Sequence, residues 1–203
     1  MTPTISYLLS LLAGYLLGSI SASIVLSRAA FHQDVRTAGS GNAGATNAAR
    51  VFGMGAGIIT FFGDFLKTLI AMFIGRALGG DTGMCIAGAA ALIGHCFPLY
   101  FGFRGGKAVS AGVAVAVMLD WRVLLLAVAV FAAAAYFSRT ASVSSMSASV
   151  GLAVGALLFC GSLPEKLLGC FTCALVIIMH RSNIRRLIAG TEPKFHAGSR
   201  PKK

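Results

Sequence analysis

Residues 5–26 read ISYLLSLLAGYLLGSISASIVL, twenty-two positions without one charged side chain. A helix of about 20 apolar residues crosses the hydrocarbon core of a bilayer, so this run predicts a membrane helix. No basic segment precedes it, and it is longer than the apolar core of a signal peptide. We therefore expect it to remain in the protein as the first membrane helix.

The remainder of the chain has the same character. Hydrophobic residues make up 57% of its 203 positions and charged residues 11%, whereas a soluble domain is about 25% charged. The mean hydropathy is +0.83. This composition predicts an all-α, polytopic integral membrane protein with one membrane-embedded domain over residues 1–203. The other apolar stretches fall near residues 51–75, 84–103, 108–119, 121–137, 147–162 and 167–179.

These stretches predict about seven transmembrane helices, some of them short. Residues 108–119 would span only about 18 Å as a helix, so a five-crossing arrangement stays open as the alternative. Glycines spaced by four, such as Gly14 and Gly18, predict close packing between helices in lipid.

Basic residues are distributed unevenly between the two sides that seven crossings create. With the C-terminus inside, thirteen of the seventeen lie inside, while Arg76, Arg122 and Lys166 lie outside and Lys67 lies within a helix. Because basic residues concentrate on the cytoplasmic side, we expect an external N-terminus and a basic cytoplasmic tail over about 181–203. The thirteen are Arg28, Arg36, Arg50, Arg104, Lys107, Arg139, Arg181, Arg185, Arg186, Lys194, Arg200, Lys202 and Lys203.

Several classes of function are disfavoured. The net charge of +11 does not indicate nucleic-acid binding, because the basic residues stand singly between apolar runs and cluster only near the C-terminus. The five cysteines are odd in number, and the Cys170–Cys173 pair lies in a predicted membrane helix, where small apolar packing is the expected role. No cluster has metal-ligand spacing. We expect no metal, no cofactor and no obligate protein partner.

The first polar break spans residues 27–50, and its residues 38–50 read AGSGNAGATNAAR. It contains a G-x-G-x-x-G pattern, but no strand precedes it, so a dinucleotide site is excluded. Glycine backbone N–H groups with nearby hydroxyl and amide donors form an anion-binding loop when they precede a helix. We expect that helix to begin near Arg50. The predicted phosphate- or carboxylate-binding residues are Ser40, Gly41, Asn42, Thr46, Asn47 and Arg50.

Three later polar breaks fall on the same predicted side. One contains Gly105-Gly106-Lys107, which is not a Walker A loop but presents N–H groups and a cation at a helix start. The next is rich in hydroxyl groups and contains one arginine, and the last opens the tail. Together they predict one inner-face site for phosphates. Their candidate residues are Arg139, Ser142, Ser145, His180, Arg181 and Asn183, with Glu192 as a supporting residue.

Three ionisable residues lie within predicted helices. Asp64 and Lys67 are three positions apart, and charged groups at membrane depth usually pair or face a polar cavity. Bracing the site from behind and touching the substrate are equally open for this pair. For His95, a packed and hydrogen-bonded structural role is the default expectation.

The four polar segments together resemble the PlsY family of membrane acyltransferases. Residues 39–47 are similar to its first signature and Gly105-Gly106-Lys107 to its second, and the match runs in order from residue 38 to residue 192. The chain differs at Ala108, where the family usually has glycine, and at Thr140, where it usually has an aromatic residue. The accompanying segments that match are 64–67, 94–98 and the tail motif HRxNIxRLxxGxE over 180–192.

The resemblance implies transfer of a fatty acyl group from acyl phosphate to the 1-hydroxyl of glycerol 3-phosphate, which yields lysophosphatidic acid and inorganic phosphate. It also implies a multi-pass protein of the bacterial cytoplasmic (inner) membrane, with its active site on the cytoplasmic side. His180, held by Asn183, would orient or deprotonate the hydroxyl, although a donor phosphate oxygen is an open alternative base. Lys107 would complete the catalytic set. The competing class is a small transporter or channel for an anionic metabolite, which the absence of an internal repeat disfavours.

Overall fold

The computed structural model describes residues 2–194. The predicted location of Met1, and the part of the predicted basic tail after residue 194, lie outside the described residues. Within the described range the regular structure consists of α-helices and short 3₁₀ turns, and no β-strand occurs there. The prediction of an all-α chain is confirmed.

Most helices follow the apolar runs of the sequence, although the run at 5–26, expected as one helix, is divided between two helices at residues 19–21. Polar residues mark several of the helix ends. Ser162 and Glu165 form a capping box at the start of one helix, and the Asp120 side chain accepts the Arg122 N–H at the start of another. The bounds are α1 (Pro3–Gly18), α2 (Ala22–Phe31), α3 (Ala45–Phe52), α4 (Met54–Cys96), α5 (Val109–Leu119), α6 (Trp121–Ser138), α7 (Ala141–Phe159), α8 (Leu163–Met179) and α9 (Arg181–Ile188).

Helix α4 folds back on itself at Gly79–Gly80. Gly80 has φ +61° and ψ −152°, a conformation open essentially to glycine. A β-carbon on Gly75 would collide with the Gly83 carbonyl oxygen, so the two arms, residues 54–78 and 81–96, lie in direct backbone contact. The arms therefore run antiparallel, as expected of two separate apolar segments.

Helix α1 packs along the second arm of α4. A β-carbon on Gly14 would collide with the Ala87 carbonyl, and one on Gly18 would collide with the Ala91 carbonyl. Because both contacts advance along the chain together, the two helices are parallel. Dispersion between closely approaching backbones holds such pairs together in lipid. The predicted packing role of this glycine pair is confirmed.

The later helices continue the alternation of direction. Gly155 of α7 packs against Val123 at the start of α6, and Gly169 of α8 packs against Ala156 of α7. Buried residues such as Val115, Leu152 and Val176 form cores between these helices, while large apolar side chains cover much of the outside. Leu158, for example, is 67% exposed. An apolar exterior over small-residue helix contacts is suited to lipid.

Four helical stretches are long and apolar enough to cross a bilayer, and α8 with α9, bent by 55°, supplies a fifth candidate. One of the four, Met54–Phe101, contains both arms of α4. Helix α5 has 11 residues, about 17 Å at 1.5 Å per residue, and does not span a hydrocarbon core unaided. The number of crossings and the side of each terminus stay predictions. The other three stretches are Pro3–Phe31, Trp121–Ser138 and Ala141–Phe159.

Because consecutive helices alternate in direction, the polar segments lie together at one end of the bundle. Arg36 Nη1 donates to the carbonyls of Phe101 and Arg104, at 2.7 and 3.2 Å, and joins the first polar break to the segment that leads to Lys107. Lys107 in turn contacts Asn183 in the last segment. The turns at Gly79–Gly80 and Asp120 lie at the opposite end.

Candidate active site

A cavity of about 610 Å³ opens where the polar segments meet. Every one of these segments contributes to its wall, together with apolar side chains from α4, α5 and α6. Its lining comprises Gly39, Ser40, Asn42, Gly44, Ala45, Thr46, Asn47, Arg50, Phe61, His95, Lys107, Val109, Ser110, Phe131, Ala141, Ser142, Ser145, His180, Asn183, Arg186, Glu192 and Pro193.

Asn47 holds the first polar break, the loop before α3, in shape. Its Oδ1 accepts the Ser40 N–H at 2.7 Å, and its Nδ2 donates to the carbonyls of Val35 and Ala38 at 2.9 and 3.1 Å. Asn47 is 1% exposed. The amide predicted to bind phosphate is therefore committed to the loop itself.

The helix after this loop begins at Ala45, with Gly44 as its N-cap, and Arg50 lies in its last turn. The expectation that the helix begins near Arg50 is wrong, because the apolar run that suggested it belongs to α4. Ser40, Asn42, Thr46 and Arg50 all line the cavity. Gly41 does not; it lies beside a second hollow.

That second hollow contains an ion-pair network that anchors the loop. Asp34 lies 2.9 Å from Arg28 and 2.8 Å from Arg36. Hydrogen bonds from Arg36 hold the pKa of the Asp34 carboxyl well below its usual range, although burial opposes the shift. Because Arg36 also bonds the segment that leads to Lys107, the network fixes the two segments relative to each other.

Gly105 and Gly106 have a different role from the predicted one. The Gly105 N–H donates to the Cys96 carbonyl and the Gly106 N–H to the His95 carbonyl, both at 3.0 Å. A β-carbon on Gly105 would collide with the His95 carbonyl oxygen. The prediction that these amides face an anion is therefore wrong. The double glycine lets the turn lie against residues 95–96 and directs Lys107 into the cavity.

Ala108 follows this turn in a left-handed conformation, with φ +61° and ψ 18°. That conformation costs a non-glycine residue about 1–2 kcal/mol. Ala108→Gly relieves it but loses a buried methyl group, about 0.8 kcal/mol, and adds freedom to the unfolded chain, about 0.4–1 kcal/mol. We expect a nearly unchanged thermal unfolding midpoint in detergent.

The matched control for this prediction is Ala111→Gly. Ala111 is equally buried but lies within helix α5, where glycine costs about 1 kcal/mol beyond the lost methyl group. We expect a loss of about 2 kcal/mol there. Equal losses at the two positions would contradict the strained backbone at Ala108.

Lys107, Asn183, Arg186 and Glu192 form one network at the cavity. The Lys107 ammonium donates to Asn183 Oδ1, and Asn183 Nδ2 donates to Glu192 Oε1 at 2.6 Å. Arg186 Nε donates to the second carboxylate oxygen at 2.7 Å. The expectation that Asn183 holds His180 is therefore wrong, because its amide joins a cation to a carboxylate.

The surroundings of this network shift the pKa values of Lys107 and Glu192. Burial lowers the pKa of Lys107 to about 8, and the guanidinium groups of Arg186 and Arg50 add to this effect while Glu192 opposes it. Burial disfavours the ionised form of Glu192, but hydrogen bonds from Asn183 and Arg186 outweigh it and lower the pKa of this carboxyl.

His180 lies at the bend between α8 and α9 and is 3% exposed. Its Nδ1 lies 2.7 Å from the Val176 carbonyl oxygen. Because a carbonyl can only accept, Nδ1 carries the proton and the neutral ring keeps a lone pair on Nε2. That nitrogen is the one available to a ligand in the cavity.

Of the remaining predicted residues, the two serines line the cavity and the two arginines do not. Ser142 and Ser145, in the first turns of α7, line the cavity. Arg139 caps the end of α6 with φ +51°, and Arg181 is the first residue of α9. Both arginines are exposed and outside the lining, so the structure does not bring them to the predicted phosphate site. Arg181 lies about 200° around the α9 axis from Asn183, which lines the cavity, and Arg139 lies in the left-handed cap outside α6.

The predicted supporting residues lie directly behind the cavity. Asp64 is fully buried, and its Oδ1 lies 2.8 Å from Lys67 Nζ and 3.5 Å from His95 Nδ1. His95 itself reaches the lining, whereas the charged pair does not. The bracing position for the pair is the one observed, and His95 joins it to the site.

Sequence reasoning missed several lining residues. Arg186 was not singled out among the tail arginines, although it lies three residues after Asn183 and therefore on the same helical face. The sequence did not indicate that the cavity is lined by Ser110, Phe61 and Phe131, because isolated serines and phenylalanines are common in membrane helices. Within residues 2–194, no three His, Cys, Asp or Glu side chains come together as metal ligands would.

The family model for glycerol-3-phosphate acyltransferase matches residues 8–190 of this chain. A relative of that name from Thioalkalivibrio sulfidiphilus is 42% identical over 185 residues, 91% of each chain. One from Pseudomonas putida is 41% identical over 191 residues, 93% of this chain and 99% of the relative.

Solved structures agree with these relatives. The crystal structure of PlsY (YgiH), an integral membrane glycerol 3-phosphate acyltransferase, in its glycerol 3-phosphate form superposes with a TM-score of 0.88. It is 33% identical and covers 94% of this chain and 96% of its own. The lysophosphatidic acid form superposes with a TM-score of 0.85 at 32% identity and the same coverage.

Proposed function

Since the chain belongs to the glycerol-3-phosphate acyltransferase family and is a multi-pass membrane acyltransferase, we propose that it takes its acyl group from an acyl phosphate in the cavity described above. Glycerol 3-phosphate accepts the group, and lysophosphatidic acid is the product. The transporter alternative is set aside, because the family match extends over residues 8–190. We further propose that the whole chain acts as one catalytic domain.

The observation that carries this proposal is the charge of the cavity. Arg50, Lys107 and Arg186 line it, with Glu192 as the carboxylate among the described lining residues. Two phosphate groups bring about three to four negative charges together, at about −1.5 to −2 each. Cations and oriented hydroxyl donors such as Ser40 stabilise such charge strongly where water is limited.

The cavity also has an apolar edge. Phe61 from the first arm of α4, Val109 from α5 and Phe131 from α6 belong to its lining. Phe131 is 36% exposed on the outside of the bundle, so this edge reaches the surface that faces lipid. We propose that the acyl chain lies along it while the phosphate enters the polar part.

Transfer then needs no acyl-enzyme. The glycerol 3-phosphate hydroxyl oxygen attacks the acyl carbonyl carbon, the bond from that carbon to the phosphate oxygen breaks, and inorganic phosphate leaves. The proton passes either to His180 Nε2 or to a phosphate oxygen of the donor. Lys107 and Arg186 offset the charge on the departing phosphate.

The donor is tested directly with purified protein in detergent. We expect phosphate release from acyl phosphate only when glycerol 3-phosphate is present, with one lysophosphatidic acid formed for each phosphate released. An acyl thioester in place of acyl phosphate is the matched control and should give no product. Equal rates with the thioester, or release without the acceptor, would contradict the proposed donor.

Activity is expected to depend on the charge of Lys107. Its pKa of about 8 means that the ammonium is present below that pH and is lost above it. Because kcat/KM reports the ionisation of the free enzyme, we expect kcat/KM for glycerol 3-phosphate to fall as the pH rises through about 8. Lys107→Arg, which stays charged, should remove this alkaline limb. A limb that persists in the arginine variant would assign it to another group.

We also propose that the protein lies in a bacterial cytoplasmic membrane with the cavity on the cytoplasmic side. The test uses single cysteines at Gln33, near the cavity end, and at Gly161, near the opposite end, in a chain without its native cysteines. A membrane-impermeant thiol reagent should label Gly161→Cys in intact cells and Gln33→Cys only after permeabilisation. Labelling of both from the same side, or of Gln33→Cys alone, would contradict this orientation.

A further inference from the structure

Three charged or titratable side chains are buried together behind the cavity. Asp64, Lys67 and His95 are 0%, 7% and 5% exposed. Lys67 Nζ also donates to the Ile20 carbonyl at 2.5 Å, at the break between α1 and α2 where that oxygen has no helical partner. This bond ties Asp64 and Lys67, which both lie on α4, to the break between α1 and α2.

Stability alone does not account for such a pair. Taking two charges out of water opposes folding, and well-packed apolar replacements of buried ion pairs are often neutral or stabilising. A buried pair that also contacts a cavity residue is a candidate for a role in positioning that residue.

His95 connects the pair to the cavity. The Asp64 carboxylate faces Nδ1 of the ring and favours the tautomer with the proton there, since a carboxylate can only accept. The other nitrogen, Nε2, then points to the Gly105–Lys107 turn. A β-carbon on Gly106 would collide with it.

The turn has little freedom once His95 is fixed. Two backbone hydrogen bonds tie Gly105 and Gly106 to residues 96 and 95, and the ring occupies the space beside Gly106. Lys107 is the next residue, and its ammonium reaches Asn183 in the cavity. A shift of the ring would therefore move the turn and the ammonium with it.

We infer that Asp64, held by Lys67, is a positioning residue that acts through His95 on the Gly105–Lys107 turn and so determines where the Lys107 ammonium lies. This inference rests on the proposed function of the cavity. Asp64 and Lys67 then contribute to turnover although neither residue touches a substrate.

The test is a double-mutant cycle between the charged pair and His95. Asp64→Asn with Lys67→Met removes both charges and leaves no lone buried ion, so the protein should still fold, with a somewhat lower unfolding midpoint because the Ile20 carbonyl loses its donor. We expect kcat/KM for glycerol 3-phosphate to fall at least tenfold. In a His95→Asn background the same pair of changes should alter it by less than twofold, because the route to the turn is already broken.

A second readout separates positioning from general loss of structure. Lys107 is faced by Arg50 from α3, by Arg186 from α9, by His180 and by Glu192. If the turn moves, the ammonium becomes less buried, and the alkaline limb of the pH profile should move above its parental position. Full activity in the neutral double variant, or losses that multiply in the cycle, would overturn the inference.

Gly106→Ala tests the same contact without altering the charged pair. The added methyl group collides with His95 Nε2, so we expect at least a tenfold fall in kcat/KM. Gly161→Ala, whose β-carbon would meet nothing within 4 Å, is the matched control and should be unaffected. A fully active Gly106→Ala also overturns the inference. An active Lys107→Ala, in contrast, would refute the proposed site itself.

Discussion

His180→Ala is expected to slow the chemical step by about 10²–10⁴, the range typical of lost acid–base or positioning groups. The Val176 carbonyl holds Nδ1 of this buried ring, so in the proposed mechanism Nε2 receives a hydrogen bond from the hydroxyl of glycerol 3-phosphate. Alanine removes the Nε2 lone pair and the side-chain bond to Val176, whose carbonyl still accepts the backbone N–H of residue 180. Single-turnover measurements at saturating substrate isolate this step from binding.

Two amide variants decide whether His180 takes the proton or only positions the hydroxyl. Glutamine places its amide near the position of Nε2, whereas the shorter asparagine reaches only the position of Nδ1 and keeps the Val176 contact. We expect His180→Gln to recover to within about tenfold of the parent, a small fraction of the range for lost acid–base groups. Since acyl phosphate is already activated, its own oxygens can take the proton.

His180→Asn is the control for this comparison and should stay as slow as His180→Ala. If His180→Gln is folded, binds both substrates and is as slow as alanine, the imidazole acts as the general base. If all three variants retain parental rates, His180 has no part in the chemistry.

Lys107→Ala is expected to lower kcat/KM by at least a hundredfold, the effect typical of a lost charge-stabilising donor in a transition state. The Lys107 ammonium lies among the cavity residues with its contact to Asn183, and in the proposed function it is one of the cations that offset the two phosphates. Its side chain belongs to a turn and not to a helix core. The unfolding midpoint should therefore change little.

Lys166→Ala is the matched control, because Lys166 lies at the start of α8, at the end of the bundle opposite the cavity. We expect it to keep activity within twofold. Comparable activity in Lys107→Ala would mean that the turn is only a connection between helices and that the cavity is not the site of transfer.

The helical architecture was accessible from the sequence for a simple reason. In lipid, backbone groups have no water to bind, so long apolar runs must form helices that satisfy their own hydrogen bonds. The same argument fails for short runs: α7 begins at Ala141, within what was expected to be a polar break, because Ser142 and Ser145 face the cavity and need no lipid contact. The placement of the polar segments at one end followed from the alternation of direction alone.

The sequence alone did not show which hydrogen-bond donors remain available to a ligand. Asn47, Gly105 and Gly106 have suitable donors, yet backbone carbonyls within hydrogen-bond distance already accept them. Successive helical residues point about 100° apart, so Arg186 faces the cavity while Arg181 faces outward. Residue types and loop order follow from local chemistry along the chain. Which N–H or ammonium remains free for phosphate depends on which distant segment packs within about 3 Å of it, and this is a property of the folded bundle.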